Sequence, residues 1–173
     1  MKYILAFSFM LATAGVQACQ RGCTDIGCSD QVYGTIRTVN GALEAGHYVI
    51  TLTTQRSSHT CTMDWPDAFP GDGIANIPCN PELGAVGMSL RQDTHCTEEV
   101  GDDASSNSCS PIPDQYTLTF IINDTPDVLT VQVERDGDVL GAQDFTPDYD
   151  ETQPNGKGCP PVCEQAEIEM ILP

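Results

Sequence analysis

"VLTVQVERDGDVLGAQDF", residues 128–145, decides how the rest of the chain is read. Leu129, Val131 and Val133 alternate with Thr130, Gln132 and Glu134, the period of two of a strand with one buried face. Asp136-Gly137 follows, and these residue types take up the positive φ angles that a two-residue hairpin turn demands. The same alternation recurs on both sides. In residues 31–39, Val32, Gly34, Ile36 and Thr38 oppose Gln31, Tyr33, Thr35 and Arg37. In 48–54, Tyr48, Ile50 and Leu52 share a face, and 59–65 extends this as a second hairpin arm. Residues 86–90 form a short candidate strand. In 115–122, Tyr116, Leu118, Phe120 and Ile122 point one way, and in 166–172 so do Ala166, Ile168, Met170 and Leu172. About seven short strands with almost no helical spacing predict an all-β chain, a single antiparallel β-sandwich. The 173 residues leave room for one such domain.

Two segments lack this alternation. Residues 64–84 carry four prolines and three glycines and read as a long surface loop. Residues 93–114 hold no aromatic and only Val100 and Ile112 as large apolar residues, too little burial to order a chain. Cys96 and Cys109 bracket that acidic loop. A bridge closing about 15 residues contributes roughly 3 kcal/mol in the chain-entropy model, so Cys96–Cys109 is the expected staple. Cys61 and Cys79 would tie the other loop to its strand. Cys23 and Cys28 would pair with Cys159 and Cys163 across the termini. Eight cysteines admit many other connectivities.

The first 18 residues differ from all that follow. Met1-Lys2 gives a positive start, residues 3–16 are mostly apolar and uncharged, and Ala18 ends the run. That is the make-up of an export signal, shorter than the roughly 20 apolar residues of a spanning helix. Two readings of its end compete. Val16 and Ala18 suit an ordinary signal peptidase, whereas Val16-Gln17-Ala18-Cys19 resembles a bacterial lipobox, with Gln17 as a departure from it. Setting Cys19 aside leaves eight of the nine cysteines, an even number able to pair in an oxidising compartment. Lipidation of Cys19 is the expectation, with Gln20 suiting an outer-membrane lipoprotein. The alternative is a thiol at Cys19 on a secreted or periplasmic protein. The expected organisation is a signal peptide at 1–18, a cysteine-containing tether at 19–29 and the β-sandwich at 30–173.

Twenty-five acids face seven Lys and Arg, for a net charge of −18. Such a surface repels phosphate backbones and anionic headgroups. No nucleic-acid partner is expected, and any membrane contact should come through the lipid alone. Solubility is the plainest account of the charge.

Cys159-Pro-Pro-Val-Cys163 resembles the copper site of Sco-like thioredoxin-fold proteins, but only ten residues follow, none of them His. Two structural cysteines entering the last strand is the simpler reading. His47, His59 and His95 lie in separate segments without ligand spacing, and no nucleophile or phosphate motif occurs. No catalytic residue is assigned and no enzyme is expected. Asp64, Asp67 and Asp72, then Glu98, Glu99, Asp102 and Asp103, are weak calcium candidates, because clustered carboxylates on loops supply oxygen ligands. Asp148, Asp150 and Glu151 form a third acidic group. None follows a calcium-loop spacing, and otherwise no metal or cofactor is expected. Trp65 is read as a core plug rather than an exposed binding aromatic.

The segments "GCSDQVYGTI" (27–36), "GHYVITL" (46–52) followed by a cysteine, and "PNGKGCPPVC" (154–163) before a final strand stand beside the signal ending at Cys19. In these the chain resembles the small, uncharacterised, cysteine-rich bacterial lipoproteins. The resemblance implies an immunoglobulin- or transthyretin-like sandwich, and no activity. The expectation is a non-enzymatic, lipid-anchored envelope or cell-surface module with a binding or structural role. The alternative is a soluble, secreted, calcium-dependent adhesion or inhibitor domain using the acidic loops.

Overall fold

The computed structural model describes residues 23–67, 73–80, 86–100 and 105–173, with side chains omitted at 98–100 and 105–107. The expected signal peptide, Cys19, Asp72, Asp102 and Asp103 lie outside the described residues. The described chain is all β. Its strands are β1 (Gln31–Thr38), β2 (Gly46–Thr53), β3 (Ser58–Trp65), β4 (Ile74–Ile77), β5 (Cys79–Asn80), β6 (Val86–Val100), β7 (Ser105–Ile122), β8 (Leu129–Arg135), β9 (Asp138–Phe145), β10 (Asp150–Thr152) and β11 (Cys163–Leu172).

They form two sheets, ordered β10-β11-β1-β7-β6-β4 and β5-β3-β2-β8-β9. The alternating apolar residues of both sheets meet in one core: Val32 and Ile36 from β1, Leu118, Phe120 and Ile122 from β7, Tyr48, Ile50 and Leu52 from β2, and Leu129, Val131 and Val133 from β8. Asp136 and Gly137 have φ of 52° and 90°, the two positive angles expected of the β8–β9 turn. That turn also docks on β2, since Asp136 Oδ1 accepts the His47 backbone N–H at 2.8 Å.

Three expectations need correction. Eleven strands occur among the described residues rather than about seven: β4 and β5 lie in the first segment read as a loop, β10 was read only as part of an acidic group, and the second segment lengthens β6 and β7. Within 64–84, Ala75 and Ile77 alternate inward on β4, and Pro78 then carries the chain across to β5 on the other sheet. Within 93–114, β6 and β7 continue past the sandwich as a two-stranded arm, paired from Thr94–Pro111 to Val100–Ser105. Nor is the fold wholly antiparallel. β1 runs parallel to β11, from Gln31 opposite Gln165 to Thr38 opposite Leu172. A parallel pair needs a long connection, and here the other nine strands supply it.

Four disulfides join Cys23–Cys159, Cys28–Cys163, Cys61–Cys79 and Cys96–Cys109. The first two fasten residues 23–29 to the end of the chain. Asn155 adds to this clasp. Its Oδ1 accepts the Ile26 N–H at 3.0 Å, while its Nδ2 donates to the Ile26 and Pro160 carbonyls at 3.0 and 2.7 Å. The latter two bridges are local, each joining residues directly opposite on neighbouring strands.

Two glycines make room for close packing, one within a sheet and one between the sheets. Gly34 of β1 lies opposite Phe120 of β7, and the ring fills the space a side chain would need. A Cβ on Gly34 would stand 1.9 Å from Cζ of Phe120. A Cβ on Gly141 of β9 would stand 2.9 Å from both Leu172 and Met170 of β11, so this glycine lets the two sheets close at that side. Gly34→Ala should therefore displace the Phe120 ring and cost about 1–3 kcal/mol. Urea unfolding measures it, and the neighbouring outward-facing Thr35→Ala should stay within about 0.5 kcal/mol of the parent.

Candidate functional site

Two open grooves on the outer face of the first sheet lie along β1 and β11. The parallel register places Tyr33 opposite Glu167 and Thr35 opposite Glu169. Because the inward residues of both strands are apolar, their alternates Tyr33, Thr35, Arg37, Glu167 and Glu169 are turned to solvent. They line an open groove of about 460 Å³ together with Ile168. A second groove of about 450 Å³ begins on the other side of Tyr33, lined by Asp148, Asp150, Thr152, Gln165 and Glu167. Tyr33 thus stands between the two. Its hydroxyl accepts a hydrogen bond from the buried Gln31 amide, which orients the ring. Arg37 Nε lies 3.4 Å from Glu169, both half exposed. Asp148, Asp150 and Glu167 take part in none of the ion pairs among the described residues.

Chemically this surface offers a ring face, a guanidinium and several acceptor oxygens, an arrangement suited to holding a ligand. Sequence alternation had already set Tyr33, Thr35 and Arg37 on one face of their strand and Glu167 and Glu169 on one face of theirs, whereas Asp148 and Asp150 were read only as an acidic group. That residues near 33 and residues near 167 are neighbours was not readable from it, since only the β1–β11 pairing brings them together.

The three histidines do not converge. His47 Nδ1 is 2.7 Å from Asp64 Oδ1 in an exposed pair across β2 and β3. His59 is buried on β3, with Nε2 3.0 Å from Ser57 Oγ and Nδ1 without a partner. His95 is exposed on the projecting arm, preceding a bridged cysteine. Among the calcium candidates, Asp64 is engaged by His47, and Asp67 sits with it and Asn76 beside a shallow surface groove. Glu98 and Glu99 lie on the arm opposite Asn107 and Ser106. Among the described residues no group of three or more His, Cys, Asp or Glu is placed to hold a metal ion. Cys159 and Cys163 are each bonded to a different partner near the start of the described chain, which leaves no dithiol there for copper. Trp65 is half-buried: Nε1 donates to the Leu43 carbonyl at 3.1 Å, and the ring meets Tyr116 edge-on at 4.5 Å, plugging one end of the core.

Tyr149 lies between the two groove acids Asp148 and Asp150 but turns the other way, against the core. Its hydroxyl donates to the Pro126 carbonyl at 2.9 Å. Burial, reinforced by the negative charges of Asp124, Asp127 and Glu164, pushes its phenol up to about 12.

Comparison with protein-family models, with curated proteins and with solved structures finds no match to this chain.

Because Tyr149 is raised above the ordinary tyrosine value, the folded protein keeps a proton there that the unfolded chain releases first. The stability this contributes is present below about pH 10 and is lost as pH climbs towards about 12. A phenolate absorbance titration should show one tyrosine ionising late. Tyr149→Phe should remove that late step and flatten the fall of melting temperature in the same window.

Proposed function

We propose that the mature protein is a non-enzymatic, lipid-anchored module of the bacterial envelope or cell surface, an immunoglobulin- or transthyretin-like sandwich with a binding or structural role. The observation that carries this reading is the count of cysteines left over. The four bridges use every cysteine from Cys23 to Cys163, so Cys19 is the odd one of nine. A chain with four disulfides folds in an oxidising compartment. There an unpaired cysteine stays a free thiol, bridges two chains or is covalently modified, and the lipobox-like Val16-Gln17-Ala18-Cys19 supports modification by a thioether-linked lipid.

The clasp between the segment following Cys19 and the last strand fits such a role. Cys23 is four residues from Cys19 and is bonded to Cys159, so the module would ride close to its anchor. The Tyr33 grooves offer the surface for a ligand or neighbour, and the acidity of the rest keeps the module off anionic headgroups.

The experiment is fractionation of cells followed by intact-mass measurement, for the parent and Cys19→Ser. The parent should extract with detergent and exceed the mass of the chain from Cys19 by a diacylglycerol and an acyl group. Cys19→Ser should lose that excess and appear in the soluble fraction with its four bridges intact. A soluble parent of unmodified mass, or one dimerised through Cys19, would refute the anchor.

A further inference from the structure

The arm that β6 and β7 form beyond the sandwich is held differently from every other part of the fold. Past Gln92 the two strands pair only with each other among the described residues, and none of the described side chains from 93 to 97 or from 108 to 114 belongs to the core. The joint between arm and body is interrupted. The ladder shifts register between Gln92 and Thr94, Pro111 and Pro113 have no N–H to give it, and Asp114 has a φ of 57°. A two-stranded hairpin without a covering layer is marginal in water. What keeps the arm paired is the covalent bond between Cys96 and Cys109.

That bond is also the most accessible of the four. Cys96 and Cys109 are both exposed, whereas every other bridge has one buried cysteine: Cys61 is 0% exposed, Cys163 4% and Cys159 8%. Thiol–disulfide exchange needs a thiolate to reach a sulfur in line with the bond. An attacking group can do so at Cys96 or Cys109 without disturbing the core.

We propose that Cys96–Cys109 is a thiol–disulfide exchange site, at which an external dithiol unlocks the arm while the sandwich stays folded. One thiolate of the dithiol attacks the sulfur of either cysteine and forms a mixed disulfide. The other cysteine leaves as a thiolate and takes up a proton. The second thiol of the reagent then attacks the mixed disulfide, frees the remaining cysteine and closes the reagent's own disulfide. Two electrons and two protons pass from the dithiol to the bridge. With the staple gone, the strands of the arm lose the constraint that paired them, and 94–100 separates from 105–111. Exchange with an external disulfide closes the arm again: the two cysteine thiols re-form the bridge, and their two electrons and two protons reduce that disulfide to thiols.

The test treats the folded mature protein with dithiothreitol under native conditions, traps free thiols by alkylation at intervals and maps the labelled cysteines. Cys96 and Cys109 should be labelled at least roughly tenfold faster than any other cysteine. The melting transition of the sandwich should remain, and limited proteolysis should gain a cut within 94–111. First labelling at any other pair, or loss of the sandwich together with the first labelling, would overturn the proposal. The double variant Cys96→Ala/Cys109→Ala should show that same cut without reductant on a folded body. An arm that stays resistant in this variant, or a variant that cannot fold, would equally defeat it.

Discussion

The pairing of the first strand with the last is the constraint on which the remainder hangs. β1 and β11 lie side by side and parallel, and Cys23–Cys159 and Cys28–Cys163 fasten the segments that lead into them. In the chain-entropy model a closure of about 100 residues contributes about 4.7 kcal/mol, and these closures span 136 and 135 residues. Every other strand lies inside that closure. It sets β1 in the interior of its sheet, between β11 and β7, where Gly34 admits the Phe120 ring and Val32 and Ile36 reach the core. It also creates the outer groove, because Tyr33 and Glu167 are neighbours only while this pairing holds.

Covalent closure matters more in a chain of this charge. A net charge of −18 works against the compact state through self-repulsion. The four ion pairs seen among the described residues are exposed or partly so, and such pairs contribute at most about 1 kcal/mol each. Cohesion comes instead from the apolar faces of the two sheets and from the bridges. The bridges divide the work. The terminal pair holds the ends, Cys61–Cys79 pins a two-residue edge strand to β3, and Cys96–Cys109 holds an arm that the core never reaches. Where the core supports a bridge, one cysteine is buried. Where nothing supports it, both are exposed.

Much of the fold was legible along the chain because a period of two states which side of a strand is wet. The strands at 31–38, 46–53, 58–65, 129–135 and 163–172 follow it, and so does the Asp136-Gly137 turn. Spacing also suggested that Cys96 pairs with Cys109 and Cys61 with Cys79, because each bridge would order a long polar segment or tie it back to its strand. The segments misread as loops failed for a physical reason. β4 is an edge strand of four residues whose inward pair is only Ala75 and Ile77, too brief a signal beside four prolines. None of the described side chains of the arm is fully buried, so no hydrophobic alternation announces it, and its strand character comes from the bridge and the neighbouring ladder.

The sequence by itself determined which side chains are dry and which are wet, that the chain is all β, and that an even set of cysteines stands apart from Cys19. Those are local properties, carried by alternation, turn chemistry and parity. Only the tertiary structure decided which wet residues become neighbours. The parallel meeting of β1 with β11 sets Tyr33 beside Glu167, and the clasp lays Ile26 against Asn155. Strand pairing across more than a hundred residues leaves no mark on the period of either strand, since the same alternation satisfies a parallel or an antiparallel partner equally well.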